Sequence, residues 1–337
     1  MKSGRMALEG PGSAKAWDRP RWLALGALIA AFLIVCATAY LAPILALFGQ
    51  RDPSRPGAPV ASPATTPPPL DATHRVNVLL LGSDNDQKVQ ADAVLTQTMI
   101  VASIDPGHHQ LVLLSIPRDL WVDVPGHGSE KIDAAYRQGG AALARATVEA
   151  RLRIPIHYYA WVGLGGLVAV IDRMGGVDVD VLHPVLDDTY PDDLRGSGYG
   201  YTRVFIPAGP QHLDGDHALQ YVRSRHGDLL SDFGRSARQQ QVLLALQRRV
   251  SGMDLLAEAP ALARDMNGHV KTDLDPLRAA QLALYVRALG LKDIQQVYLL
   301  PPLVADALSA DGQQILVPDW PLIGQRMRQL FGNDLLG

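Results

Sequence analysis

Cysteine is nearly absent from this chain of 337 residues: Cys36 is the only one. That excludes an intrachain disulfide and any cysteine-based metal site. Charge is also scarce, at 19% of residues, and the net charge of −3 shows no basic excess of the kind that duplex binding requires. An anion site here has to be a local cluster of arginines. Three signatures of common chemistry are missing as well. There is no Gly-x-Ser-x-Gly elbow, no His-Glu-x-x-His pair and no phosphate loop of the Gly-x-x-x-x-Gly-Lys type. The ten histidines show no metal-ligand spacing, and His108-His109 falls in an expected turn.

What is present begins with an apolar run. From Trp22 to Ala42 no residue is charged, and the run continues through Leu41 to Phe48. An α-helix needs about 20 such residues to cross a membrane. Lys2, Arg5, Lys15, Arg19 and Arg21 precede it, which by the positive-inside bias puts the N-terminus in the cytoplasm and everything after the helix outside. Ala37-Thr38-Ala39 resembles a cleavage site, but the apolar run passes beyond it, which favours an anchor over a removed leader. The expected organisation is a cytoplasmic segment over residues 1–21, a transmembrane anchor over 22–48, a Pro-rich linker over 49–73 and one domain over 74–337. Pro67-Pro68-Pro69 lies in that linker.

From Val76 the texture alternates between short apolar runs and helical patterns. Strands are expected at Val76–Leu81, Thr98–Ile104, Leu111–Ile116 and Val177–Val181, with Asp105-Pro106-Gly107 turning the second into the third. Helices are expected at Ala141–Leu152, Gly166–Met174, Gly215–Val222 and Gly234–Val250. The mixture predicts an α/β domain on a mixed central sheet.

Four stretches could carry chemistry. Arg235, Arg238 and Gln239 stand at i, i+3 and i+4 on one helix, with Asp232 placed to cap it and Arg223 and Arg225 arriving from the preceding element. Arginines beside a helix N-terminus suit a bound phosphate or pyrophosphate. Ordinary ion pairs with Asp228 or Asp232 account for them equally well. Arg118-Asp119 ends an apolar strand, where ligand groups collect, or forms a salt bridge there. Ser83, Asp84, Asp86 and Asp92 offer oxygen ligands suited to Mg²⁺, in a loop that Gly, Ser and Asp also favour for local reasons. Lys131 and Tyr136 supply a cation and a phenol, or simply a solvated helix face.

In order along the chain, these motifs resemble the LytR-CpsA-Psr family of cell-envelope glycopolymer ligases. The carrying residues are Leu80-Leu81-Gly82-Ser83-Asp84, Leu114-Ser115-Ile116-Pro117-Arg118-Asp119, Lys131-Ile132-Asp133-Ala134-Ala135-Tyr136 and Gly175-Gly176-Val177-Asp178-Val179-Asp180-Val181. They continue with His212-Leu213-Asp214-Gly215-Asp216 and with Tyr221-Val222-Arg223 through Arg235 and Arg238-Gln239-Gln240. The resemblance implies a fold with an apolar lipid tunnel between sheet and helices. It implies a membrane-anchored phosphotransferase that moves a glycopolymer from polyprenyl pyrophosphate onto peptidoglycan or another envelope glycan, with no nucleic-acid partner. Asp84, Arg118, Arg223 and Arg235 would be catalytic; Arg225, Arg238, Gln239, Lys131 and Tyr136 would bind substrate; Asp84 and Asp92 would hold Mg²⁺. Gln97-Thr98 stands where the family usually has Asp-Thr, which weakens the metal site, since an amide brings no charge. A polyprenyl-pyrophosphate phosphatase and a non-catalytic binder of lipid-linked glycan are the alternatives.

Overall fold

The computed structural model describes residues 19–50, 67–69, 74–83, 95–192, 200–224, 231–290 and 293–336. Two compact units divide the chain, Met1–Ala42 and Pro43–Gly337. Helix α1, Arg19–Phe48, runs through the first and into the second. Its segment Ile29–Phe48 is long and apolar enough to cross a membrane. Within the first unit Thr38 Oγ1 donates to the carbonyls of Ile34 and Val35, both at 2.9 Å, so this hydroxyl is satisfied inside its own helix. In the second unit Ile44, Leu47 and Phe48 pack with Ala263, Met266 and Val270.

In chain order the second unit contains β1 (Val76–Ser83), β2 (Thr96–Asp105), β3 (Gln110–Ser115), β4 (Trp121–Val124), β5 (Gly128–Lys131) and α2 (Ala134–Leu152). There follow β6 (Tyr158–Val162), α3 (Leu164–Arg173), β7 (Val177–Val181), β8 (Val185–Pro191), β9 (Tyr201–Ile206), β10 (Gly209–Leu213) and α4 (Gly215–Arg223). The last part holds α5 (Ser231–Gly252), α6 (Leu255–Asp265), β11 (Val270–Thr272), α7 (Pro276–Ala288), β12 (Ile294–Tyr298), β13 (Val304–Leu308), β14 (Gln314–Pro318) and α8 (Trp320–Phe331).

Six strands form the central sheet in the order β11-β6-β1-β2-β3-β12. β1 pairs antiparallel with β2 and parallel with β6, and β3 pairs parallel with β12, so the sheet is mixed as expected. Strand periodicity sends Leu79, Leu81, Val101 and Leu114 into one core and Val78, Ile100, Leu111 and Leu113 into another. The first core lies under α2 and α8, and the second under α5 and α7. A third core joins α3, α4 and α5 to the strands β7 to β10.

Helix starts follow simple capping chemistry. Asp214, Asp275 and Asp319 each accept a backbone N–H from three residues on, at 2.9 to 3.0 Å. α2 is two helical pieces joined across Gly139 and Gly140. Gly140 has φ 65°, and a Cβ on Gly139 would lie 2.4 Å from that of Leu143. The regular helix expected from Ala141 is the piece beyond that kink.

Candidate active site

A cavity of about 280 Å³ lies between the α5 side of the sheet and the helices α3, α4 and α5. Its walls are apolar, with Leu80, Ile100, Leu167, Val170, Leu219 and Leu243 among them. Its polar lining groups are Ser83, Gln97, Thr98, Arg223, Arg235 and Gln239. These come from the end of β1, the start of β2, the end of α4 and the start of α5, so the topology collects them at one end. The result is an apolar pocket with a cationic mouth.

Local backbone geometry aims several of these groups. Gly82 pairs with Thr98 and Ser83 with Thr96, so Gln97 is the extra residue of a β-bulge. Bulges redirect side chains in this way beside functional sites. A Cβ on Gly82 would stand 2.9 Å from that of Thr98, which explains glycine at this strand end. Arg118 Nη1 donates to Gln97 Oε1 at 2.8 Å, which brings Arg118 to the mouth. Behind it, Asp119 bridges two cations: its carboxylate lies 3.2 Å from Arg118 Nε and 2.6 Å from Lys131 Nζ. Lys131 therefore belongs to the same ion network. Beside them the buried Asp133 carboxyl is pushed up to about 6, chiefly by desolvation, with Asp119 adding and Arg118 and Lys131 opposing.

Of the helical trio, Arg235 and Gln239 line the cavity, one turn apart on α5. Arg235 is 4% exposed, so its charge meets a cavity occupant before it meets bulk water. Arg238, expected to bind substrate, is instead aimed at α4: its Nε donates to Tyr221 O at 2.7 Å and its Nη2 to Ser224 O. Those carbonyls end α4, where orphan acceptors and the negative pole of the helix dipole attract a cation. Next to it Gln240, wholly buried, donates through Nε2 to Ser115 Oγ at 2.8 Å and Leu113 O at 3.1 Å, fastening α5 to the sheet. Arg223, the last residue of α4, lies over the ring of Tyr190 at 5.6 Å.

Tyr136 is not among the residues that line the cavity. It is 1% exposed and stacks on Trp161 in the main core, with centroids 6.1 Å apart, so its ring serves packing. Asp84, Asp92 and Arg225 lie outside the described residues, as do Asp86 and Asp228. Asp232 lies within α5, one residue after its start at Ser231, rather than at the cap position. Sequence reasoning missed Gln240, Tyr190 and the bridging role of Asp119. The bulge at Gln97 has one signal, Gly82, which pairs with the neighbouring Thr98.

Among the described residues no three His, Cys, Asp or Glu side chains come together as a metal site. Gln97, the described residue in a ligand's expected place, is neutral, and its carbonyl oxygen already accepts from a guanidinium. A cation at that oxygen would face Arg118. The described donors alone therefore do not fit a divalent ion.

Residues 50–315 match the model of the LytR_cpsA_psr family. A curated relative, the polyisoprenyl-teichoic acid–peptidoglycan teichoic acid transferase TagU of Enterococcus faecalis, is 33% identical over 213 residues. That stretch is 63% of this chain and 66% of the relative, so the chain spans just under two thirds of the relative's length. The crystal structure of Bacillus subtilis TagV superposes with a TM-score of 0.64 at 28% identity, covering 77% of this chain and 98% of that one. The LytR-CPS2A-psr family protein YwtF (TagT), solved with bound octaprenyl pyrophosphate lipid, gives a TM-score of 0.58 at 25% identity. That match covers 80% of this chain and 93% of that one.

Proposed function

The chain belongs to the LytR_cpsA_psr family, and from that premise we propose that it is a phosphotransferase acting on a polyprenyl-pyrophosphate-linked glycopolymer. Its acceptor is peptidoglycan or another envelope glycan, and the lipid product is polyprenyl phosphate. The observation that carries the reading is the apolar cavity whose mouth holds Arg223, Arg235, Gln239 and Gln97. An apolar cavity suits a prenyl chain, and guanidinium groups at its mouth suit the diphosphate that the chain carries.

In the proposed reaction the acceptor hydroxyl oxygen bonds to the glycan-side phosphorus. The bridging P–O bond breaks and polyprenyl phosphate leaves, so that a phosphodiester joins the two glycans. Arg118, Arg223 and Arg235 neutralise charge that grows on the phosphoryl and leaving oxygens. Gln239 orients the diphosphate, Lys131 steadies Arg118 through Asp119, and Asp84 accepts the hydroxyl proton. Arg225 joins the diphosphate site. Family members are in general metal-dependent; Mg²⁺ held by Asp84 and Asp92 belongs to this proposal, and no step above is routed through it. Arg238 we assign to positioning, because its Nε and Nη2 donate to the carbonyls at the end of α4.

The basic residues before the apolar run support an orientation with the N-terminus cytoplasmic and the domain outside. The test is release of polyprenyl phosphate from a synthetic polyprenyl-pyrophosphate saccharide by the full chain in nanodiscs, with and without peptidoglycan strands. Release that depends on acceptor is the expected result. Equal release without acceptor would make the protein a phosphatase, and binding without release would make it a carrier.

A further inference from the structure

Helix α5 carries two cavity residues, Arg235 and Gln239, and the residue that follows them reaches the sheet instead. Gln240 is fully buried there, with Nε2 2.8 Å from Ser115 Oγ, 3.1 Å from Leu113 O and 3.3 Å from Val297 O. Three oxygens around one nitrogen fix the orientation of the amide, because its carbonyl end cannot donate. Its Oε1 is buried with no partner among the described residues. An apolar side chain of the same shape would fill this space without leaving an acceptor unsatisfied. The amide is therefore explained by what its donors hold in place rather than by stability.

What they hold is the strand that leads to Arg118. Ser115 is the last residue of β3, and only Ile116 and Pro117 separate it from Arg118. That short path has little slack. The Ile116 N–H donates to Met99 O at 2.9 Å, Pro117 fixes its own φ, and Pro117 O accepts from the Leu120 N–H at 3.1 Å. Arg118 then reaches Gln97 at the cavity mouth, at 2.8 Å. Across the same contact, Gln239 adjoins Gln240, and Arg235 lies on the same helix one turn before Gln239. The Gln240–Ser115 hydrogen bond thus joins the element that carries Arg118 to the element that carries Arg235 and Gln239.

We propose that Gln240 is a positioning residue for phosphoryl transfer: through Ser115 it sets the spacing between Arg118 and Arg235, which reach the diphosphate from different elements. This reading rests on the diphosphate site proposed above. Charge stabilisation depends on where each guanidinium stands when the phosphoryl group moves, and a misplacement of about 1 Å can cost on the order of 10² in rate. Loosening α5 from β3 is therefore felt mainly in the transition state. Binding of the donor in its ground state, which draws on the apolar cavity as well, changes less.

The test uses the full chain in nanodiscs with a polyprenyl-pyrophosphate saccharide and peptidoglycan strands. It measures kcat, donor KM and Tm, with rates taken where calorimetry shows each variant folded. Gln240→Met keeps an unbranched side chain and removes the donors, and Ser115→Ala removes one acceptor with the least change in packing. The expected fall in kcat is about tenfold for Gln240→Met and about three- to tenfold for Ser115→Ala, with donor KM changed by less than about threefold. The double variant should be no slower than Gln240→Met, since both changes remove the same bond. Wild-type kcat in both single variants, with only Tm lowered, would assign Gln240 to stability and overturn the proposal. Losses that multiply in the double variant, or a change confined to donor KM, would overturn it equally. If Gln240→Met does not fold, Ser115→Ala alone decides by the same criteria. A wild-type chain that neither binds nor turns over the donor would instead count against the function proposed above.

Discussion

Arg118 donates to Gln97 across 2.8 Å, and this contact joins the turn after β3 to the bulge of β2 at the cavity mouth. The acceptor is a neutral amide, so this contact orients the guanidinium without adding a second carboxylate to the Asp119 it already meets at Nε. A hydrogen bond to a charged group contributes about 1.5–3 kcal/mol. Gln97→Ala should therefore slow transfer by about tenfold or more by freeing the Arg118 side chain. Arg118→Ala, which removes the charge itself, should cost on the order of 10²–10³. Steady-state release of polyprenyl phosphate measures both. If Arg118 works through its place at the mouth, adding Gln97→Ala to Arg118→Ala should cost little more. Additive losses would show that the two residues act separately.

Arg238 gives the second prediction. Its guanidinium holds the last carbonyls of α4 and lies over the Tyr221 ring at 5.7 Å, and it is 5% exposed. Arg238→Ala strands two buried acceptors and should destabilise the domain by about 3 kcal/mol. In a domain of this size that is a fall in Tm of roughly 6–12 °C. Lysine keeps the charge but cannot reach both carbonyls with a planar fork, so Arg238→Lys should recover less than half of the loss. Calorimetry separates the roles. Wild-type Tm in Arg238→Ala together with lost donor affinity would return this residue to the diphosphate site.

These two arginines also show what could be read in advance. Spacing alone put Arg235, Arg238 and Gln239 on one helix face, and the cavity does receive Arg235 and Gln239. The face of a helix is wide, though, and the end of α4 packs against one side of it. What a side chain meets across that gap is a tertiary fact that spacing does not contain. Strands β1 to β3 and β7 were legible because buried apolar runs bounded by turns have few other readings. Strands β8 and β9 were not, since Leu186 and Phe205 break the apolar-in alternation by pointing outward. The burial of Tyr136 is hard to foresee for a related reason: Gly139 and Gly140 hide the periodicity of the short helix that carries it into the core.

The third prediction concerns acid. His157 accepts the backbone N–H of Asn77 at Nδ1, 2.9 Å away, and burial with the nearby Arg145 charge holds its ring down at about 4. The unfolded ring, at 6.5, takes up protons first. Stability from His157 is therefore complete above pH 6.5 and is lost as pH falls toward 4, at up to about 1.4 kcal/mol per pH unit. Asp133 has the opposite sign. Its folded pKa of about 6 exceeds the unfolded 3.8, so its contribution is complete below 3.8 and is lost as pH rises through 6. Between pH 4 and 6 the two slopes oppose each other and the wild-type stability curve should be shallow there. Asp133→Asn removes one of them. The variant should be the more stable at pH 7, by at most about 3 kcal/mol, because an amide spares the cost of burying a charge. At pH 4 the advantage should vanish, and the variant's stability should fall steadily with acid from pH 6.5. Urea titrations at pH 4, 5, 6 and 7 measure this, and parallel curves for the two proteins would show that the Asp133 carboxyl titrates in the fold as it does in water.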